Sequence, residues 1–229
     1  QSDNAYFRFE IDVKPPAAPT LSATASQTPA APDIKKSTTV SLGGTSEAGA
    51  TIKIWTSTEP FTVETEVESV VAGADGVWTA TITISQGVNT RIRVSAVDTA
   101  GNESTTKALY GYLMVDATAP GVTITSPATG TKTDKASITV SGTVTKDAWE
   151  TWNVDVTLRV QVGLTSTTVP ISAGSFSVNV ALTEGSNTII ATATDAVGLS
   201  SSATITVERT VTPWGTYAII LVIVALILS

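Results

Sequence analysis

The sequence contains no cysteine and no histidine. That excludes disulfides, thiolate nucleophiles and thiolate metal sites, and it removes the bases that usually activate a serine or cysteine nucleophile. Aromatic residues make up only 6% and charged residues only 14% of the 229 positions. Lys and Arg together number 13 against 20 Asp and Glu, for a net charge of −7. So acidic a chain is poorly matched to nucleic acid, whose binding rests on cations that neutralise phosphates. No Gly-rich phosphate loop leads into a helical pattern, and no cofactor is expected. Before Trp214 there is no long apolar run either.

What is abundant is Ser, Thr and Val, the composition of many short strands with one polar face. Trp78, Ala80, Ile82 and Ile84 alternate with Thr79, Thr81 and Thr83, and Ile92, Val94 and Ala96 with Arg91, Arg93 and Ser95. Further on, Val154, Val156, Leu158, Val160 and Val162 alternate with Asp155, Thr157, Arg159 and Gln161. Period two over this length predicts strands with one face on a core, and Trp55 and Trp78 are expected inside. The chain also repeats itself. Gly76–Asn89 aligns with Gly174–Asn187, and Val40–Thr45 with Ile138–Thr143, at one offset of 98 (174 − 76, 138 − 40). Asp98-x-x-Gly101 matches Asp195-x-x-Gly198 after a one-residue deletion. A repeat of that size is a whole sandwich domain.

The residues Asp98–Ser104 (DTAGNES), after RIRVSAV, and Thr118–Pro127 (TAPGVTITSP) resemble the late turn and the module start of prokaryotic extracellular immunoglobulin-like repeats, the bacterial Ig-like type. The resemblance covers residues 17–210. It implies an all-β chain of two tandem Ig-like β-sandwiches, and the sequence adds one C-terminal transmembrane α-helix. The expected division is an N-terminal strand and Pro-rich connector (1–16), domain 1 (17–116), domain 2 (117–210) and the membrane helix (211–229). Such modules serve as spacers, adhesin stalks, enzyme appendages and envelope components, so fold alone does not choose among them.

Candidate chemistry is sparse. Glu64, Glu66 and Glu68 alternate with Val63, Thr65 and Val67, which places them on the solvent face of one strand. Asp98 and Asp195 sit where Asp binds its own backbone in a turn. The alternative for the first turn is calcium held by Asp98, Asn102, Glu103 and Asp116, although the D-x-D-x-D spacing of recognised loops is missing. Asn102-Glu103-Ser104 is a glycosylation sequon. Trp149 and Trp152, on a loop the first repeat lacks, read either as a lid on the core or as contact residues, with a glycan among the partners considered.

Both ends carry further expectations. Phe7, Phe9, Ile11 and Val13 alternate with Arg8, Glu10, Asp12 and Lys14: an extra edge strand on the first module, or a strand added to a neighbouring subunit. The chain starts at Gln1 with no basic-then-apolar leader, as a secreted protein would after signal-peptide removal. The closing segment, with Ile219, Ile220, Leu221, Val222, Ile223, Val224, Leu226, Ile227 and Leu228 behind the interfacial aromatics Trp214 and Tyr217, reads as a membrane anchor in contact with lipid. As a helix from Trp214 to Ser229 it spans ~24 Å, short of a ~30 Å hydrocarbon core. The expectation is a non-catalytic single-pass protein of a prokaryotic cell envelope, modules facing the extracellular or periplasmic side, acting as a stalk or adhesive scaffold among other envelope proteins. The alternatives are an accessory subunit of a membrane complex and a non-catalytic appendage of a surface carbohydrate-active protein.

Overall fold

A computed structural model of the chain describes residues 11–150 and 154–211. The expected membrane helix, together with Phe7, Phe9 and Trp152, lies outside the described residues. Among the described residues there are sixteen strands and no helix. The chain divides into two compact units, Gln1–Ala117 and Thr118–Ser229.

The first unit, module one, contains β1 (Thr20–Leu21), β2 (Asp33–Lys35), β3 (Thr39–Thr45), β4 (Thr51–Thr58), β5 (Thr65–Val71), β6 (Val77–Thr83), β7 (Thr90–Val97) and β8 (Ala108–Val115). They form a three-stranded sheet ordered β1-β3-β6 and a five-stranded sheet ordered β2-β8-β7-β4-β5. Module two contains β9 (Gly121–Ser126), β10 (Thr131–Thr133), β11 (Ser137–Thr145), β12 (Thr157–Val162), β13 (Thr165–Val169), β14 (Ser175–Ala181), β15 (Gly185–Thr194) and β16 (Ser200–Arg209). Its sheets are ordered β9-β11-β14 and β10-β16-β15-β12-β13, the same plan eight strands later. In each module the leading chain crosses from the small sheet to the large one, where its second strand pairs parallel with the last, β2 with β8 and β10 with β16. The other pairings between strands are antiparallel.

Alternation decides what is buried. In module one Trp78, Ala80, Ile82 and Ile84 from the small sheet meet Ile52, Ile54, Ile92, Val94 and Leu113 from the large one. In module two Phe176 and Val140 meet Val156, Leu158, Val160, Ile189 and Val207. Val154 departs from the expected pattern. It precedes β12, outside the ladder that would turn it inward, and is exposed.

One repeated position shows how tightly the small sheets are crossed. Gly44 on β3 and Gly142 on β11 are 98 residues apart and occupy the same place. A methyl group on Gly44 would land on the Thr20 carbonyl, and one on Gly142 on the Thr123 carbonyl, with the Phe176 ring at 2.6 Å. Because the obstacle is backbone, neither site relaxes cheaply. Gly142→Ala is therefore expected to destabilise module two by about 1–3 kcal/mol, the usual cost of overpacking. Hydrogen exchange followed peptide by peptide should quicken in module two and stay unchanged in module one.

Candidate functional site: the outer face of module one

The solvent side of the large sheet in module one carries a linked set of charged and aromatic side chains. On β4 Ile52 and Ile54 face the core, so Trp55, next in the alternation, turns outward and is only half-buried, and its pairing with β7 runs through without interruption. This corrects the expectation that Trp55 belongs to the core, an expectation that holds for Trp78. The extra residue of the β-bulge at this place lies on β5. It separates the three glutamates. Glu66 pairs opposite Trp55, whereas Glu68 pairs opposite the inward Ile54, so the three do not share one face.

Glu64, just before β5, is the centre of the network. Its Oε1 accepts hydrogen bonds from Arg91 Nη2 at 3.1 Å and Arg93 Nη1 at 3.2 Å, and its Oε2 accepts from Lys107 Nζ at 2.7 Å. Arg91 and Arg93 reach it because they alternate with buried Ile92 and Val94 on β7. The same Lys107 ammonium lies 3.5 Å from the Trp55 ring centroid, a close cation–π contact. Trp55 Nε1 donates to Ser95 Oγ at 2.9 Å, and Ser95 Oγ donates to Glu103 Oε1 at 2.7 Å. Lys53 bridges Glu103 and Glu66 at 3.6 and 3.7 Å. At the far side Arg91 Nη2 donates to the Phe61 carbonyl at 3.0 Å, and the Phe61 ring meets Tyr112 edge-on at 5.2 Å. These contacts hold Phe61 at φ 62°, a left-handed conformation that a bulky residue adopts only when its surroundings enforce it.

Burial raises the Glu64 pKa, but hydrogen bonds and charge from Lys107 and Arg93 outweigh it and hold the carboxyl below its ordinary value. An acid so saturated with cations stays ionised at neutral pH. Its arrangement braces strands rather than moving protons.

The turn after β7 behaves similarly. Asp98 Oδ1 accepts the backbone N–H groups of Ala100 and Asn102, and its Oδ2 accepts Asn102 Nδ2 at 2.9 Å. The Asn102 side chain, followed by the backbone bonds, lowers the Asp98 pKa. Asn102 Nδ2 gives its other hydrogen to the Asp12 carbonyl, so glycan attachment there would have to break this turn. Glu103 is committed to Ser95 and Lys53, and Asp116 is buried. The three acids of the calcium expectation are thus not drawn into one cluster. In module two Asp195 repeats the turn, its Oδ1 accepting Leu199 N–H at 2.8 Å. Buried Glu150 lies beside it, carboxylate oxygens within 4.8 Å. Trp149 is partly exposed, at 36%.

Comparison with known proteins follows the module boundaries. Residues 16–111 match the family model described as bacterial Ig domain, and residues 120–211 match glucodextranase, domain B. Bacillopeptidase F of Bacillus subtilis (strain 168) is 27% identical over 159 residues, which are 69% of this chain and 10% of that protein. The chain therefore spans about a tenth of that relative's length. Among solved structures, the fibronectin(III)-like modules of Clostridium thermocellum CbhA align over 84% of this chain and 94% of theirs, at 15% identity and TM-score 0.39. A structure concerning host cell surface retention of a bacterial ice-binding adhesin aligns over 85% of this chain and 66% of its own, at 16% identity and TM-score 0.34.

Glu64→Gln should cost about 1–2 kcal/mol at pH 7, because three partly buried cations lose their shared counter-charge. Since the folded pKa is depressed, the stabilisation is present above the unfolded value of about 4.3 and fades as pH falls through the folded one. Urea unfolding of both proteins should show the full gap at pH 7 and a gap that narrows steadily as pH is lowered below about 4.

Proposed function

We propose that this chain, a tandem of two bacterial Ig-like repeats, is a non-catalytic envelope protein held at a membrane by its apolar C-terminal segment, its modules outside the cell as a structural or adhesive scaffold. The observation that carries this reading is how the chemically capable side chains are employed. Glu64 is saturated by three cations that tie β7 and the β5 approach together, and Asp98 is consumed by its own turn. Groups spent in this way stiffen a module. Each module also has its own core, which suits a spacer built from units that each hold together by themselves.

A second reading places the apolar C-terminal segment among the spans of other membrane proteins. In that case the chain is an accessory subunit whose modules brace the outer face of a membrane complex.

Membranes bearing the full-length protein test both. After alkaline carbonate washing the chain should remain in the pellet, and protease added to intact cells should remove both modules. Release of the intact chain by carbonate would reject the anchor. Migration alone on a native gel after gentle detergent extraction favours the scaffold, while stoichiometric co-migration with polytopic proteins favours the accessory subunit.

A further inference from the structure

Module two copies module one strand for strand, yet its core is left open along one side. On β6 the inward residues Trp78, Ala80 and Ile82 are all buried. At the equivalent places on β14 Phe176 is buried, but Val178 and Val180 are only half covered. In module one β5 runs closely against β6; in module two β13 and β14 meet over a much shorter stretch. Between them lies a groove of about 680 Å³. Val160, Val162, Val180 and Leu182 give it an apolar lining, and β13 contributes only Thr165 and Thr167. Leu164, at the tip of the β12–β13 hairpin, is fully exposed at its mouth. No residue lining the groove is charged. Both flanking strands are the outermost of their sheets, so each presents an unpaired backbone edge.

The chain itself carries a segment of the matching kind. Phe7, Phe9, Ile11 and Val13 alternate with Arg8, Glu10, Asp12 and Lys14. Ile11 and Val13 are 82% and 76% exposed, although an isolated apolar stripe of this sort ordinarily finds cover. The Asp12 carbonyl is held by Asn102 at the end of module one, which keeps these side chains in water there. A strand from Phe7 to Val13 would be ~23 Å long, the length of a strand such as β14 with its seven residues. From Phe7 to Lys14 the charges balance (Arg8 and Lys14 against Glu10 and Asp12) and the groove is uncharged, so two copies of a chain of net charge −7 can join there without setting like charges together.

We propose that the groove between β13 and β14 receives the Phe7–Val13 segment of a second copy of this chain as an added strand. Phe7 and Phe9 supply the bulk that Thr165 and Thr167 lack, and the backbone edges supply the ladder. Donor and acceptor are different surfaces, so the contact is heterologous and propagates copies head to tail.

The absence of native cysteine makes the test direct. Full-length chains bearing Phe9→Cys, Ile11→Cys or Val13→Cys are each mixed in detergent with a chain bearing Leu164→Cys, then oxidised. At least one pair should give a disulfide-linked heterodimer well in excess of the homodimers each variant forms alone. Failure of all three pairs overturns the proposal. So does a double variant, Ile11→Cys with Leu164→Cys, that closes within a single chain. A second measurement guards against an unfavourable register. Ile11→Asp and Leu164→Asp, both at exposed positions, should each sediment as a smaller species than the unmodified chain. Their equimolar mixture should stop at a dimer, because each variant keeps the half the other lacks. Sedimentation unchanged by either substitution overturns the proposal as well. The inference does not rest on the membrane reading, and its failure would leave the carbonate result untouched.

Discussion

With no cysteine to tie the sheets of a module together, the contact between their inner faces carries the whole fold. Every strand must therefore spend one of its two faces on the core, and the alternation of Trp78, Ala80 and Ile82 with threonines is what that requirement looks like in sequence. The small sheet must also lie close to the strand that crosses it. Gly44 and Gly142 recur at the same place because a carbonyl of the crossing strand occupies the space a side chain would need. Core and crossing together hold the sandwich without covalent help.

A face committed to the core leaves the opposite face in water, and module one uses that outer face for a second layer of organisation. Six charged side chains and an indole interlock around Glu64 and Ser95 over a sheet whose inner side is already closed. Their net contribution per pair is modest, as for ion pairs near a surface, but they act across β4, β5, β7 and the segment before β8. They fix which strands stay neighbours at the sheet edge, where pairing is weakest. The same saturation that makes Glu64 a brace makes it a poor acid or base.

How much of this was legible follows from the range of the interactions. The core residues of β6, β7 and β12 could be read directly, since period two is a property of neighbouring residues, and the 98-residue offset exposed the duplication. The Glu64 network could not, because it depends on β4 lying between β5 and β7, and sequence order does not state that. A partial signal existed in Arg91 and Arg93 sharing one face, but not its counter-charge. Trp55 misled because an indole was judged by its apolarity alone. The alternation of inward Ile52 and Ile54 already puts it on the outer face, where Lys107 covers its ring and Ser95 takes its N–H. Val154 misled for the opposite reason: its alternation runs on past the point where pairing begins.

Duplication makes the difference between the modules informative. The two copies of one plan differ at this edge: in module one β5 runs close against β6, whereas in module two β13 and β14 meet over a shorter stretch, and Thr165 and Thr167 stand beside Val160, Val162 and Leu182. An apolar floor under a polar, uncharged rim costs stability when left to water, and it gains stability only when filled. The N-terminal stripe carries the reverse debt, with Ile11 and Val13 exposed to water. Each is a defect by itself, and each has the shape, length and charge balance that would cancel the other. Under the proposed strand addition, two complementary imperfections on separate surfaces would let a chain join its own kind without any change to the cores that hold it together.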